Sequence, residues 1–155
     1  MTYENQELDD IDTTERIQHL LDEIRIILPG TEVLFGFLLV AVFSEGFDRL
    51  EPLLKYVHLA SLGSIAITTI LLIAPSAYDR IAEQRENIQG FYTFTTRIVL
   101  LALILLALGL SGIVFVVVFK AINSHAIAAL FAGAVLILSY VIWFGYSLFR
   151  KNRRH

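Results

Sequence analysis

Two long segments without a charged residue constrain the fold of this chain more than any other feature. Residues 98–119 read IVLLALILLALGLSGIVFVVVF, and residues 126–149 read AIAALFAGAVLILSYVIWFGYSLF. An α-helix rises about 1.5 Å per residue, so about 20 apolar residues cross the roughly 30 Å hydrocarbon core of a bilayer. Both segments reach that length. We therefore expect two transmembrane helices in the second half of the chain.

Two further apolar segments are less uniform. Residues 53–74 are long enough to span a membrane and carry only Lys55 and His58 near their start. Residues 31–50 reach the length only if the helix includes Glu32 and the segment SEGFDRL. The sequence thus predicts an all-α integral membrane protein with a four-helix transmembrane domain at 31–149. The predicted spans are residues 31–50, 53–74, 98–119 and 126–149.

An amphipathic helix is predicted before the first span. Residues 1–12 are acidic and expected to be flexible, and Asp12-Thr13-Thr14-Glu15 resembles a capping box that opens a helix over 13–28. Its apolar residues recur at helical period: Ile17, Leu20, Leu21, Ile24, Ile27 and Leu28. This stripe suits the membrane surface or a neighbouring protein, and its few basic residues favour protein contact. Pro29 and Gly30 predict the end of this helix.

The basic residues predict the orientation. With four spans, the N-terminal segment, the loop between the second and third spans and the basic tail at 150–155 lie on one side. Together they carry nine of the twelve lysines and arginines. Because cytoplasmic segments are enriched in these residues, both termini are expected in the cytoplasm.

Composition also excludes several classes of function. The net charge of −3 argues against a nucleic-acid partner, which calls for a basic face. The absence of cysteine excludes disulfides and thiolate metal sites. No closely spaced metal-ligand pattern and no set of nucleophile, base and orienting residue is apparent. We therefore expect no cofactor, no metal and no enzymatic activity.

Glu32 and Arg97 are the charged residues of most interest. Each is predicted to open a span from the cytoplasmic side, so the two are candidates for an ion pair between helices. One hypothesis is structural: Glu32 caps a helix, where its charge meets the helix dipole. The other is functional: an ionisable group in a span gates or conducts protons. The structural hypothesis is favoured, because charges are inexpensive at a membrane edge.

Polar and small residues give two further candidate sets. A polar stripe along the second span is the best candidate lining of a pathway, and consists of His58, Ser61, Ser64 and Thr68. Span hydroxyls more often bond to their own helix or a close neighbour, which is the competing interpretation. Close helix packing is predicted at the small residues Gly109, Gly112, Ala129 and Gly133.

Two segments carry a resemblance to a known family, RIQHLLDEIRIILPGTEVLFGFLLVAVFSEGF and LLIAPSAYDRI. The chain resembles a family of small bacterial membrane proteins of unknown function. The resemblance covers roughly residues 16–120 and is carried by LPG, VLFGFLL and APSAYDRI. It implies a bacterial inner-membrane location. Some members carry an automatic label as sodium:proton antiporters, but known antiporters are much larger and use broken helices with paired acids at the midplane. We do not adopt that label.

Two functional hypotheses follow. The chain is a small oligomeric ion or proton pathway, with the Glu32–Arg97 pair and the polar stripe as lining or gate. Alternatively it is a non-catalytic module that assembles with itself or another membrane protein through the N-terminal helix and the small-residue faces. The lipid bilayer is the expected surrounding in both cases.

Overall fold

The computed structural model describes residues 2–81 and 88–145, and the regular structure in these ranges is helical. The helices are α1 (Thr2–Val42), α2 (Glu45–Asp48), α3 (Pro52–Ile81), α4 (Ile88–Ile122) and α5 (His125–Tyr140). A π-helical turn, Val141–Gly145, continues α5. The predicted all-α class is confirmed. The basic tail at 150–155 and the end of the predicted fourth span lie outside the described residues.

The four long helices form an antiparallel bundle. Helices α3 and α4 make the most extensive contact, α1 packs on both of them, and α5 packs on α4. Three buried clusters stack along the bundle. The first joins Ile24, Leu72, Val99 and Ala102, the second joins Leu38, Ile65 and Leu106, and the third joins Leu54, Val116, Phe119 and Ala128. The start of α1 and the end of α5 consequently lie towards the same end of the bundle.

The described chain contains four helices that are long and apolar enough to cross a membrane. They comprise Glu15–Val42, Pro52–Pro75, Gly90–Ile122 and His125–Trp143. Their outer surfaces carry large apolar side chains: Phe37 is 72% exposed, Leu130 is 71% exposed and Ile70 is 66% exposed. Such a surface is typical of a protein surrounded by lipid, because a water-soluble monomer rarely exposes large continuous apolar patches. The predicted number of apolar spans is confirmed.

Helix α1 differs from the prediction at both ends. It begins at Thr2 rather than at the predicted capping box. It also continues through Pro29, where a break was predicted. Proline lacks the amide that would bond to the Arg25 carbonyl one turn back, so α1 continues with one backbone bond fewer. The Thr31 hydroxyl donates to a different carbonyl, that of Leu28 (2.8 Å). Membrane helices tolerate proline where side-chain hydroxyls and neighbouring helices satisfy the backbone.

The predicted amphipathic helix is therefore part of α1, and its apolar stripe packs inside the chain's own bundle. Ile24 is 2% exposed and belongs to the first buried cluster, against which Leu21, Ile27 and Leu28 also pack. Ile17 is buried as well. The stripe is thus covered by α3 and α4.

The first span also ends earlier than predicted. Helix α1 stops at Val42, and the segment predicted to continue it forms the separate helix α2. Ser44 adopts an extended conformation and its hydroxyl accepts a hydrogen bond from the Phe47 amide (3.3 Å), which caps α2. In the connection between α4 and α5, Asn123 adopts a left-handed conformation (φ 55°) and Ser124 caps α5.

Candidate functional site

Glu32 lies in the interior of α1, and not in the first turn of a helix as predicted. Seven residues, or about 10 Å, separate it from Arg25, and ten residues, or about 15 Å, separate it from Val42. Arg25 forms an exposed ion pair with Asp22 (3.1 Å), which marks the polar part of the helix. The helix dipole acts within the first turn, so it does not account for an acid at this position.

The side chain of Glu32 is exposed, and so are its apolar neighbours on α1. Val33 is 57% exposed, Ile26 is 80% exposed and Phe37 is 72% exposed. A carboxyl group therefore stands on an otherwise apolar outer surface, within a helix long and apolar enough to span a membrane.

Arg97 is not brought close to this carboxyl group. Val99, two residues after Arg97, packs with Ile24, and Ile24 precedes Glu32 by eight residues, or about 12 Å along α1. Both charged side chains are exposed, and within residues 2–81 and 88–145 no ion pair joins them. The suggested pair is thus not formed, and a gating role for either residue remains a prediction.

The polar stripe of α3 is turned inward and bonded to backbone. Ser61 is buried and donates to the Val57 carbonyl (2.9 Å) of its own helix. Thr68 is buried and its hydroxyl lies 2.9 Å from the Ser64 carbonyl and 3.3 Å from the Ala102 carbonyl of α4. These contacts are the kind that the competing interpretation describes, in which span hydroxyls satisfy local carbonyls.

His58 connects α3 to α1. Its side chain is buried, and Nε2 lies 3.0 Å from the Leu38 carbonyl. A carbonyl oxygen only accepts, so Nε2 carries the proton and donates. The ring also contacts Phe47 of α2 edge-on, at 5.3 Å between centroids. His58 therefore helps to hold α2 and the end of α1 against α3.

Two of the four predicted packing residues lie in close helix contact. A Cβ atom on Gly109 would lie 2.8 Å from Cγ1 of Ile65, and one on Gly112 would collide with the Ser61 hydroxyl. The two glycines thus allow α3 to approach α4. Gly133 of α5 has nothing within 4 Å of such an atom, and Ala129 is exposed. On α5 it is Ala128 and Ala132 that are buried.

Two cavities meet at Lys120, at the end of the bundle that holds α2. The first, of about 260 Å³, lies between α1 and α4 and is mainly apolar, with Ser44, His58 and Lys120 as its polar residues. Its apolar wall includes Leu34, Phe37, Leu38, Ala41, Ile113 and Val117. The second, of about 500 Å³, is more polar and includes Glu45, Arg49, Glu51, Lys120 and Asn123.

Comparison with known proteins identifies the family. A family model described as a family of unknown function (DUF6328) matches residues 7–147. The chain belongs to this family. The match includes the four apolar helices of this DUF6328 member, together with Glu32, the α3 stripe and Lys120. No match was found among curated proteins or among solved structures.

Sequence reasoning did not identify Lys120 of this DUF6328 protein as a candidate. Its ammonium group lies against Gly46 of α2. That contact joins residues far apart in the chain, so local patterns do not reveal it. The one available signal was its position, directly after the uncharged segment 98–119.

Proposed function

We propose that this DUF6328 protein is a non-enzymatic, multi-pass membrane protein whose Glu32 carboxyl serves an ion or proton pathway formed between copies of the chain. In this proposal it resides in the inner membrane of a bacterium, and both termini face the cytoplasm. The observation that carries the proposal is an exposed carboxyl group in the interior of an apolar helix.

The energetics of a carboxylate in lipid support a role for Glu32. A charged acid at the centre of a span costs about 2.5–3.5 kcal/mol on insertion scales, so such groups are kept where they are protonated, paired or hydrated. No ion pair involving Glu32 is present in the described part of the chain. A second copy packed on this face would remove the carboxyl group from lipid and give it a polar, confined surrounding.

The packing inside one bundle favours a pathway between copies over a pathway through the monomer. The buried polar residues of α3 bond to backbone carbonyls of α1, α3 and α4. The intervening layers are apolar, as in the cluster of Leu38, Ile65 and Leu106. Such a core offers a proton few hydrated positions, whereas Glu32 is accessible from outside.

Proton flux into proteoliposomes tests the proposal. Protein is reconstituted with an internal pH-sensitive dye, and a pH step is applied with valinomycin and potassium to clamp the voltage. We expect the parent protein to carry flux above that of empty vesicles, and Glu32→Gln to reduce it to the level of empty vesicles. Glu45→Gln is the matched control, because Glu45 is exposed at the end of the bundle and paired with Arg49; it should retain flux.

Two results would overturn the pathway. One is parent flux no greater than that of empty vesicles at equal protein content, and the other is equal flux from the parent and Glu32→Gln. The oligomeric state is measured on the same preparation by sedimentation in detergent. A protein that remains monomeric in lipid and in detergent at every concentration would contradict the arrangement between copies.

A second candidate function is assembly through α5. One face of α5 packs on α4, while Leu130, Phe131 and Ile137 are at least half exposed on its outer side, and Gly133 stands open. Small residues on an open helix face suit close approach by another membrane helix. Assembly through the N-terminal stripe has less support, because that stripe packs in the chain's own bundle. Stable oligomers that carry no proton flux would favour assembly through α5 over the pathway.

A further inference from the structure

The two cavities that meet at Lys120 differ in polarity, as the acyl chain and the headgroup of a lipid do. The cavity between α1 and α4 has apolar walls and opens beside Phe37 and Val117, which are 72% and 60% exposed on the apolar surface. The adjoining cavity carries charged groups of both signs. A ligand that fills both has an apolar chain and a polar head, and enters from the lipid side.

The charged residues of the polar cavity indicate which kind of headgroup it would bind. Arg49 and Glu45 pair with each other (3.2 Å), which leaves Lys120 and Glu51 as the further charged residues of this cavity. Both are exposed, and within residues 2–81 and 88–145 their side chains make no hydrogen bond or ion pair. One free cation and one free anion therefore line the same cavity, and this combination complements a zwitterion.

The depth of Lys120 fits a headgroup phosphate. Lys120 directly follows the uncharged segment 98–119 of α4, and long basic side chains at span ends extend to the headgroup region. An ammonium group donates to phosphate oxygens in strong, charge-assisted hydrogen bonds. Glu51 precedes Pro52, the first residue of α3, and so lies at the same end of the bundle.

We propose that this DUF6328 protein binds one phospholipid with an amine-bearing headgroup at this end of the bundle. One acyl chain lies in the apolar cavity between α1 and α4, Nζ of Lys120 binds the phosphate, and the carboxylate of Glu51 accepts from the headgroup ammonium. This site depends on the membrane setting but not on the Glu32 pathway.

Native mass spectrometry of the full-length protein tests the site. The protein is released from nanodiscs that contain equal amounts of dioleoyl phosphatidylethanolamine and dioleoyl phosphatidylglycerol. We expect one phosphatidylethanolamine to remain bound to the parent protein. Lys120→Gln should lower its retention about tenfold, since a charge-assisted bond is lost. Glu51→Gln should abolish the preference for phosphatidylethanolamine over phosphatidylglycerol.

Lys55→Gln is the matched control, because it removes a cation from the same end of the bundle without touching either cavity. The Lys55 ammonium already donates to the Asp48 carbonyl (2.9 Å). This variant should retain the lipid as the parent does. Ala41→Phe fills the apolar cavity without changing charge and should also lower retention, with helix content by circular dichroism as the folding check.

Three results would overturn the site: no retained lipid on the parent, equal retention by Lys120→Gln and the parent, or phosphatidylglycerol retained at least as well as phosphatidylethanolamine. Flux that depends on Glu32 from a protein that retains no lipid would support the pathway alone. Lipid retention that depends on Lys120 on a protein without flux would support the lipid site alone.

Discussion

At the scale of single residues, the buried hydroxyls of this bundle are in two different states. Thr68 lies within hydrogen-bond distance of carbonyls on its own helix and on α4. Thr95 is completely buried, and among the described residues its hydroxyl has no hydrogen-bond partner. A buried hydroxyl without a partner costs free energy, because it has lost water and gained nothing in return.

Replacement of these two threonines by valine should therefore have opposite effects. We expect Thr95→Val to raise the free energy of unfolding by about 1 kcal/mol, since it removes an unsatisfied group. Thr68→Val should lower it by about 0.6 kcal/mol, the typical value of a hydrogen bond between membrane helices. Both are measured by SDS titration in mixed micelles with helix content as the signal. A Thr95→Val protein no more stable than the parent would contradict the assignment.

At the scale of the helix, α1 marks the limit of what local sequence predicts. Four apolar segments were sufficient to predict four apolar helices, because a span needs length and low charge and little else. The pair Pro29-Gly30 predicted a break, yet α1 continues. Burial of Ile24 against Leu72 and Val99 stabilises α1 before Pro29, and such distant contacts are absent from local patterns. The predicted position of Glu32 in the first turn of a helix was wrong for the same reason, since that position depends on where the helix begins.

Close helix packing was predicted at three glycines alike, but it is formed at two of them. Gly109 and Gly112 lie against Ile65 and Ser61, whereas Gly133 is open. All three are small residues in apolar segments, so the sequence alone did not distinguish them. The direction in which each faces depends on how the helices pack.

Alanine substitution separates the packed glycine from the open one. Gly109→Ala places a methyl group against the fully buried Ile65 and should lower the free energy of unfolding by about 1–3 kcal/mol. Gly133→Ala makes no such contact and, as a better helix former, should raise it by up to about 1 kcal/mol. The same SDS titration measures both. Equal effects of the two substitutions would contradict the packing of α3 on α4.

At the scale of the whole molecule, alternating helix directions place the α1–α3 and α4–α5 connections at one end of the bundle. Asp48 and Ala121 lie at that end and are exposed, whereas Glu23 is exposed towards the other. Four antiparallel helices also place the start of α1 and the end of α5 at the same end of the bundle, as the basic-residue count requires. The cytoplasmic location of that end stays a prediction.

Single-cysteine variants test this arrangement without background, since the chain contains no cysteine. In sealed right-side-out vesicles, whose cytoplasmic side faces the lumen, a membrane-impermeant maleimide should label Asp48→Cys and Ala121→Cys equally. It should leave Glu23→Cys unlabelled. Disruption of the vesicles should expose all three. Labelling of Glu23→Cys together with Asp48→Cys before disruption would contradict four spans.

The continuity of α1 through Pro29 has a mechanical consequence. The helix is 41 residues long, or about 61 Å, and is roughly twice as long as a bilayer core is thick. Its polar first half and the Glu32 carboxyl group belong to one continuous helix. Any rotation of the polar first half about the helix axis therefore turns the Glu32 carboxyl group in the same direction.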